Sequence, residues 1–403
     1  PKTKLIMNNL SHRIQSLSQS ETLVMSQKSS ELKAQGIDII DLSVGEPDFA
    51  TPQYIKDAAI RAIEDNFSFY SPVSGFMDLR KTICKKLKDE NNLEYEPNQI
   101  VCSNGAKQSI CNVILTLINK GDEVIIPAPY WVSYPEMVKL AEGKPVVIDA
   151  DIEQDFKITA SQLEKTITPK TKAVIICSPS NPTGSVYSKS ELESLANVLI
   201  NHPDIFIISD EIYEHINYVD KHESIAQFEG LTERMIIVNG VSKCYAMTGW
   251  RIGWMAAPKE IAAACAKLQG QYTSGPCSIS QKAAQAAYEG SQEDVELMRQ
   301  AFERRKKLAY DLLCDIDGLE VSNPEGAFYL FPQCKSFFGK SHNGHTILDS
   351  SDLSIYLLEE AHVSCVAGNA FGASEYFRLS YVTSDENLVE GIKRIKEALQ
   401  KLK

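Results

Sequence analysis

The chain has 403 residues, 43% of them hydrophobic and 23% charged, and a formal net charge of −12. That is the composition of an ordinary globular protein long enough for two cores, and its acidic balance argues against nucleic acid or an anionic membrane as the main partner, since both need a basic surface. No apolar run approaches bilayer-spanning length and the first residues carry no long apolar signal region, so a cytoplasmic protein is expected.

The first element with a chemical signal is Val101-Cys102-Ser103-Asn104-Gly105-Ala106-Lys107-Gln108. It opens a helix whose apolar positions Ile110, Val113, Ile114, Leu117 and Ile118 keep helical spacing. Free amides at such a start, with Gly105 allowing close approach, make an anion cradle, though a Gly-containing helix start is weak evidence by itself. Four short apolar runs follow: Glu123-Val124-Ile125-Ile126, Ala173-Val174-Ile175-Ile176, Ile205-Phe206-Ile207-Ile208 and Met235-Ile236-Ile237-Val238. The stretches between them are long enough for crossover helices, which predicts a mostly parallel sheet with helices on both faces. Just beyond the first run, Trp131 lies in Pro129-Tyr130-Trp131-Val132-Ser133-Tyr134-Pro135, placed to stack on a ring or simply to pack.

The segments after the other three strands carry the chemistry: Ser180-Asn181-Pro182-Thr183-Gly184, then Asp210-Glu211-Ile212-Tyr213, then Gly240-Val241-Ser242-Lys243. Ligands of open parallel sheets bind beyond the carboxyl ends of the strands, so Asn181, Asp210, Tyr213 and Lys243 are expected at one site. Taken alone, Asp210-Glu211 also fits a helix amino-terminal cap. Lys243, shielded by apolar neighbours, suits Schiff-base formation with an aldehyde, and Arg251, eight residues on, suits the phosphate of the same ligand together with Ser242. One ligand needs a phosphate cradle, an imine-forming amine, a strand-end carboxylate and a phenol beside an amide: pyridoxal phosphate. Asp210 would hold its pyridine nitrogen protonated, while Tyr213 and Asn181 would bond its ring oxygen.

From about residue 296 the pattern changes to a smaller α+β domain, with a helix over Met298 to Cys314, strands at Ala327-Phe328-Tyr329-Leu330 and Phe377-Arg378-Leu379-Ser380-Tyr381, and a closing helix from about Glu386. The expected division is an amino-terminal segment 1–49 that joins the small domain, a large domain 50–295 and a small domain 296–403. Arg378 interrupts an apolar strand, so it needs an anion: a substrate carboxylate fits its fork, and a structural salt bridge is the alternative. The ten cysteines lack a Cys-x-x-Cys pair and read as buried reduced thiols, and His342 and His345 flank a polar loop, so no metal is expected.

Taken together, these residues resemble the class I, fold type I aminotransferases that use pyridoxal phosphate, from Val44-Gly45-Glu46-Pro47-Asp48-Phe49 to Phe377-Arg378-Leu379-Ser380. The lysine signature runs from Gly240 to Gly253, and Tyr130 to Pro135 looks like the bacterial aspartate aminotransferase branch. The resemblance implies an α/β fold with a mostly parallel seven-stranded sheet flanked by helices in the large domain. It implies Lys243 as the Schiff-base lysine and proton carrier, Asp210 at the pyridine nitrogen, Tyr213 and Asn181 at the ring oxygen, and Trp131 stacked on the ring. Gly105, Ala106, Lys107, Ser242 and Arg251 match the phosphate side, and Arg378, Asn181 and the backbone of Gly45 match the substrate α-carboxylate positions. Tyr70 resembles the tyrosine that reaches the neighbouring subunit's cofactor, which implies a homodimer. Two departures stand out. Gly240 replaces a serine that touches the phosphate in many relatives, and the distal-carboxylate arginine of the enteric branch has no match in Gln271-Tyr272-Thr273-Ser274-Gly275-Pro276. Lys107 is implied to take that arginine's place, with Thr22 joining when the amino-terminal segment closes. The implied activity is ping-pong amino transfer from L-aspartate to 2-oxoglutarate, the partners being small dicarboxylic amino acids and 2-oxo acids. An aromatic or prephenate aminotransferase, a β-lyase or decarboxylase, and a cofactor-binding regulatory protein are the alternatives.

Overall fold

Short runs of Val and Ile buried on both sides favour parallel strands, and these runs build the centre of the molecule. In the computed structural model, which describes residues 10–18 and 21–403 apart from the side chains of 21–23, a short strand β1 (Ile40–Asp41) precedes seven that form one sheet. They are β2 (Ile100–Ser103), β3 (Glu123–Ala128), β4 (Lys144–Asp149), β5 (Thr171–Cys177), β6 (Phe206–Asp210), β7 (Met235–Gly240) and β8 (Gly253–Ala256). The spatial order is β2-β8-β7-β6-β5-β3-β4. Pairing from β7 to β4 is parallel, while β8 runs antiparallel to both its neighbours, β2 and β7.

Alternation along each strand feeds two helical layers. Val174 and Ile176 pack with Leu192 and Leu195 of the helix Lys189–Ile200. Ile175 and Ile208 pack on the other side with Ile110, Val113 and Ile114 of the helix Ala106–Leu117. The four expected strands are β3, β5, β6 and β7, with ends moved by a residue or two.

Beyond the sheet lie β9 (Tyr329–Leu330), a hairpin of β10 (Ser341–His342) and β11 (His345–Thr346), then β12 (Val363–Ser364), β13 (Val366–Ala367) and β14 (Phe377–Ser380). β14 sits between β13 and β9, antiparallel to both. β1 pairs in parallel with β12, and Ile40 and Leu42 share a core with Leu357, Val363 and Ile392, so residues 40–42 are built into this unit. The strand expected over 327–330 shortens to β9. The helix expected from Met298 begins earlier, at Glu293, where Glu293, Asp294 and Glu296 fill its first turn and suit the positive end of the helix dipole. All ten cysteines are free thiols, but Cys277 and Cys314 are exposed rather than buried. No helix among the described residues is long and apolar enough to cross a membrane.

The antiparallel insertion of β8 brings Gly253 against the start of the helix Ala106–Leu117. A Cβ at Gly253 would lie 2.1 Å from the Ala106 amide nitrogen and 2.5 Å from the Gly105 carbonyl carbon, and backbone cannot swing aside. Gly253→Ala is therefore expected to cost about 1–3 kcal/mol, seen as a lower urea midpoint at unchanged slope. Gly249→Ala, whose Cβ would meet nothing within 4 Å, serves as the control and is expected to leave the midpoint near the parent value.

Candidate active site

β5, β6 and β7 end on one edge of the sheet, and the chain beyond each end turns a polar group into a single cavity of 730 Å³. Asn181, Asp210, Tyr213 and Lys243 all line it, as the strand-end argument expects. Asp210, the last residue of β6, is buried; Tyr134 Oη donates to its Oδ2 at 2.6 Å and the Ile212 amide to its Oδ1 at 3.3 Å. Desolvation outweighs these bonds and pushes its carboxyl up to about 6. The residues after Asp210 form turns rather than a helix, so the helix-cap reading fails.

Lys243 Nζ donates to the Gly45 carbonyl at 2.5 Å and lies 5.8 Å from the centre of the Tyr213 ring. Desolvation first, and then the Arg378 guanidinium, lower its ammonium to about 8. Tyr213 shares a 2.8 Å hydrogen bond with Tyr329 Oη, and burial holds its phenol well above the usual range. Neutral hydroxyls at Tyr213 and Tyr134 are the consequence.

The anion cradle takes shape where the helix Ala106–Leu117 begins. Gly105 is its N-cap with φ +81°, a left-handed value that glycine adopts freely. Arg251 lies against it, so that a Cβ at Gly105 would fall 2.2 Å from Arg251 Nη2. Its guanidinium is held by the carbonyls of Thr248 (2.8 Å) and Asn104 (3.2 Å), and it shares the cavity wall with Ala106 and Ser242. A cation over free helix-start amides is a phosphate site in chemical terms. Gly240 pairs with Gly253 in the sheet, and a Cβ there would lie 2.9 Å from Gly253 Cα and from the Ile252 carbonyl oxygen. A side chain at 240 would need this backbone to shift.

Arg378 sits in β14, buried, donating to Asn181 Oδ1 and to the Ser43 carbonyl, each at 2.9 Å. Its Nε has no partner, and among the described residues no carboxylate lies within ion-pair distance, so the structural salt bridge is ruled out. Its guanidinium carbon is 4.3 Å from the Tyr329 ring centre. With Oδ1 accepting from Arg378, the Asn181 amide nitrogen is left to donate. Lys107 Nζ lies 4.9 Å from the centre of the Trp131 ring on the cavity wall, its ammonium lowered by desolvation and then by Arg251.

Tyr134 and Tyr329 escaped the sequence reading. Each is a phenol bonded to a residue remote in sequence, and only the Tyr130 to Pro135 segment marked Tyr134 at all. Tyr70 does not reach this cavity: it is 96% exposed, beside Phe69 at 81%. Its loop is nonetheless fastened, because the buried Gln281 accepts from the Phe76 amide at 2.7 Å and donates to Ser71 Oγ at 2.9 Å, while Ser278 Oγ donates to the Phe69 carbonyl at 2.8 Å. Thr22 belongs to the helix Glu21–Ala34, but its side chain lies outside the described residues.

Comparison with known proteins gives a consistent set of likenesses. The family model described as aminotransferase class I and II matches residues 37–395. A probable aspartate/prephenate aminotransferase of Rickettsia bellii is 49% identical over 395 residues, covering 97% of this chain and 99% of that protein. The crystal structure of the aspartate aminotransferase from Rhizobium meliloti superposes with a TM-score of 0.95 at 43% identity, covering 98% of this chain and 100% of that one. That of Thermus thermophilus with maleate gives 0.91 at 39% identity, covering 97% and 99%.

In the protein without added ligands, modification of Lys243 by an amine-reactive reagent is expected to rise with pH through a midpoint near 8, well below that of exposed lysines. The same shift makes folding bind fewer protons than the unfolded chain between pH 8 and the ordinary lysine pKa, so this lysine adds stability as pH rises through that window. Peptide mapping of the labelled protein across pH checks the midpoint; a value equal to that of surface lysines would overturn it.

Proposed function

Since the chain belongs to the class I and II aminotransferases and is a transaminase, we propose that it carries pyridoxal phosphate and moves the amino group of L-aspartate to 2-oxoglutarate, giving oxaloacetate and L-glutamate in two half-reactions. When bound, that cofactor supplies an aldehyde for imine formation and a ring that takes up the electrons left on a substrate carbon. The residues fit it: a helix-start cradle too tight for any Cβ at 105, with Arg251 on it, for the phosphate; a buried carboxylate at Asp210 for a pyridinium; and donors at Tyr213 and the Asn181 amide for a phenolate oxygen. Tyr134 positions Asp210, and Trp131 offers a face to the ring.

The observation that carries the reading is the pairing of Lys243 and Arg378 on one cavity wall, an ammonium that gives up its proton near pH 8 beside a buried guanidinium without an anion. Arg378 binds the substrate α-carboxylate with help from Asn181 and Gly45. This would orient the substrate α-carbon toward Lys243 Nζ, whose free amine would take the α-proton. Lys107 receives the distal carboxylate of a dicarboxylic acid. Relatives named for both aspartate and prephenate, and a cavity of 730 Å³, support prephenate as a second acceptor.

Tyr70 supports a homodimer, since a fastened loop that presents two exposed aromatics suits a neighbouring copy's phosphate side. The division into 1–49, 50–295 and 296–403 is supported by the β1 to β12 pairing and by the separate core around β14. Ten free thiols and an acidic composition support a cytoplasmic setting.

The visible spectrum of the loaded protein tests the reading. L-Aspartate alone is expected to convert the cofactor band to the amine form with release of oxaloacetate, and 2-oxoglutarate to restore it; a band that ignores aspartate would refute the substrate. Lys243→Ala is expected to lose turnover while keeping its melting temperature within a few degrees. Arg378→Ala is expected to lower kcat/KM for aspartate and alanine alike by about 100-fold or more, because a bidentate carboxylate contact is lost. Lys107→Ala is expected to penalise aspartate selectively, so equal losses for the two amino acids would overturn its role.

A further inference from the structure

Outside the cavity, a buried polar network joins the two turns that carry the reacting groups. Lys86, in the helix Met77–Asn91, is buried and donates to Glu214 Oε2 and, at 2.7 Å, to Asn91 Oδ1. Glu214 also accepts from Asn91 Nδ2 at 2.5 Å and from Asn239 Nδ2 at 2.8 Å. The Asn239 side-chain oxygen in turn accepts from the Gly240 amide at 2.7 Å. The next residue, His215, bonds Glu90 through Nε2 at 2.8 Å. Glu90, Glu214 and His215 stand close enough for a metal ion, but the Lys86 ammonium already bonds Glu214 and lies 3.5 Å from Glu90, supplying the positive charge there.

The arrangement has a particular consequence. Asn239 stands at the start of the loop that bears Lys243, and it is gripped by Glu214, in the turn that bears Asp210 and Tyr213. We propose that Glu214 is a positioning residue that anchors the start of the Lys243 loop through Asn239 and so fixes Nζ relative to Asp210 and Tyr213. The proposal rests on the role given to Lys243 above. Apolar residues of similar size would hold the same space at equal or better stability, whereas directional bonds from a buried carboxylate set the spacing of what they join. Burial itself pushes Glu214 the wrong way, yet Lys86 and the neighbouring histidines hold its carboxyl well below the usual range, so the node stays charged.

Asn239→Ala in the loaded protein separates geometry from stability, because it leaves the Lys86, Glu214 and Asn91 contacts in place. We expect kcat for aspartate to fall about tenfold with KM nearly unchanged, and the pH midpoint of the visible cofactor band to move by about half a unit or more. Without cofactor, amide hydrogen exchange over 241–247 is expected to quicken relative to the parent. Asn239→Ser, whose hydroxyl can still donate toward Glu214, is expected to shift all three readouts in the same direction but less than Asn239→Ala; this variant carries the test if Asn239→Ala does not fold. Parent values of kcat, band midpoint and exchange alongside a lowered melting temperature would overturn the anchor and leave the network a purely structural one. A parent protein whose band ignores aspartate would instead strike at the substrate reading.

Discussion

Lys243 and Arg378 place two cations on one cavity, where the buried carboxylate among the lining residues is Asp210. Like charges in such a place repel by about 4 kcal/mol at 4 Å even with an effective dielectric near 20. A guanidinium does not release its proton in a protein, whereas an ammonium does, so the strain is relieved at the lysine. Burial first, and Arg378 after it, thereby lower the Lys243 ammonium. The same electrostatics explain why the cavity suits molecules with several negative groups. Three cations line it, Arg251 over the helix start, Lys107 beside Trp131 and, buried in β14, Arg378. The net charge of −12 is no obstacle, because recognition depends on the local field and not on the total.

Much of this was legible in the chain. β3, β5, β6 and β7 announced themselves as apolar runs because both of their faces are covered, and their shared direction then placed Asn181, Asp210, Tyr213 and Lys243 together before any coordinates were known. β4 and β8 were not legible for opposite reasons. β4 is an edge strand with exposed Lys144 and Asp149, and β8 opens on glycine, so neither shows the pattern of a central strand. Arg378 could be singled out since a charge within an apolar strand demands an explanation.

What stayed hidden was pairing over distance. Tyr134 and Asp210, or Tyr213 and Tyr329, meet only in the folded chain, and a tyrosine gives no sign in sequence of where its hydroxyl will go. Lys86 and Glu214 were hidden more deeply. In the sequence they look like solvated helix charges, and only the packing of the helix Met77–Asn91 against the turn after Asp210 shows that they are enclosed. Gly240 and Gly253 likewise gain meaning as a facing pair, since each is small for the sake of the backbone opposite.

The position of β8 also bears on how the polypeptide is made. β2 lies at the edge of the sheet and its one strand neighbour is β8, so the first of the seven strands to leave the ribosome is seated by the last. Until Gly253 has been synthesised, the turn at Gly105 has nothing to pack against, and the strands between them must assemble beforehand. The end of the chain that begins the phosphate cradle is thus completed late, and a nascent protein lacks that cradle until nearly the whole large sheet is in hand.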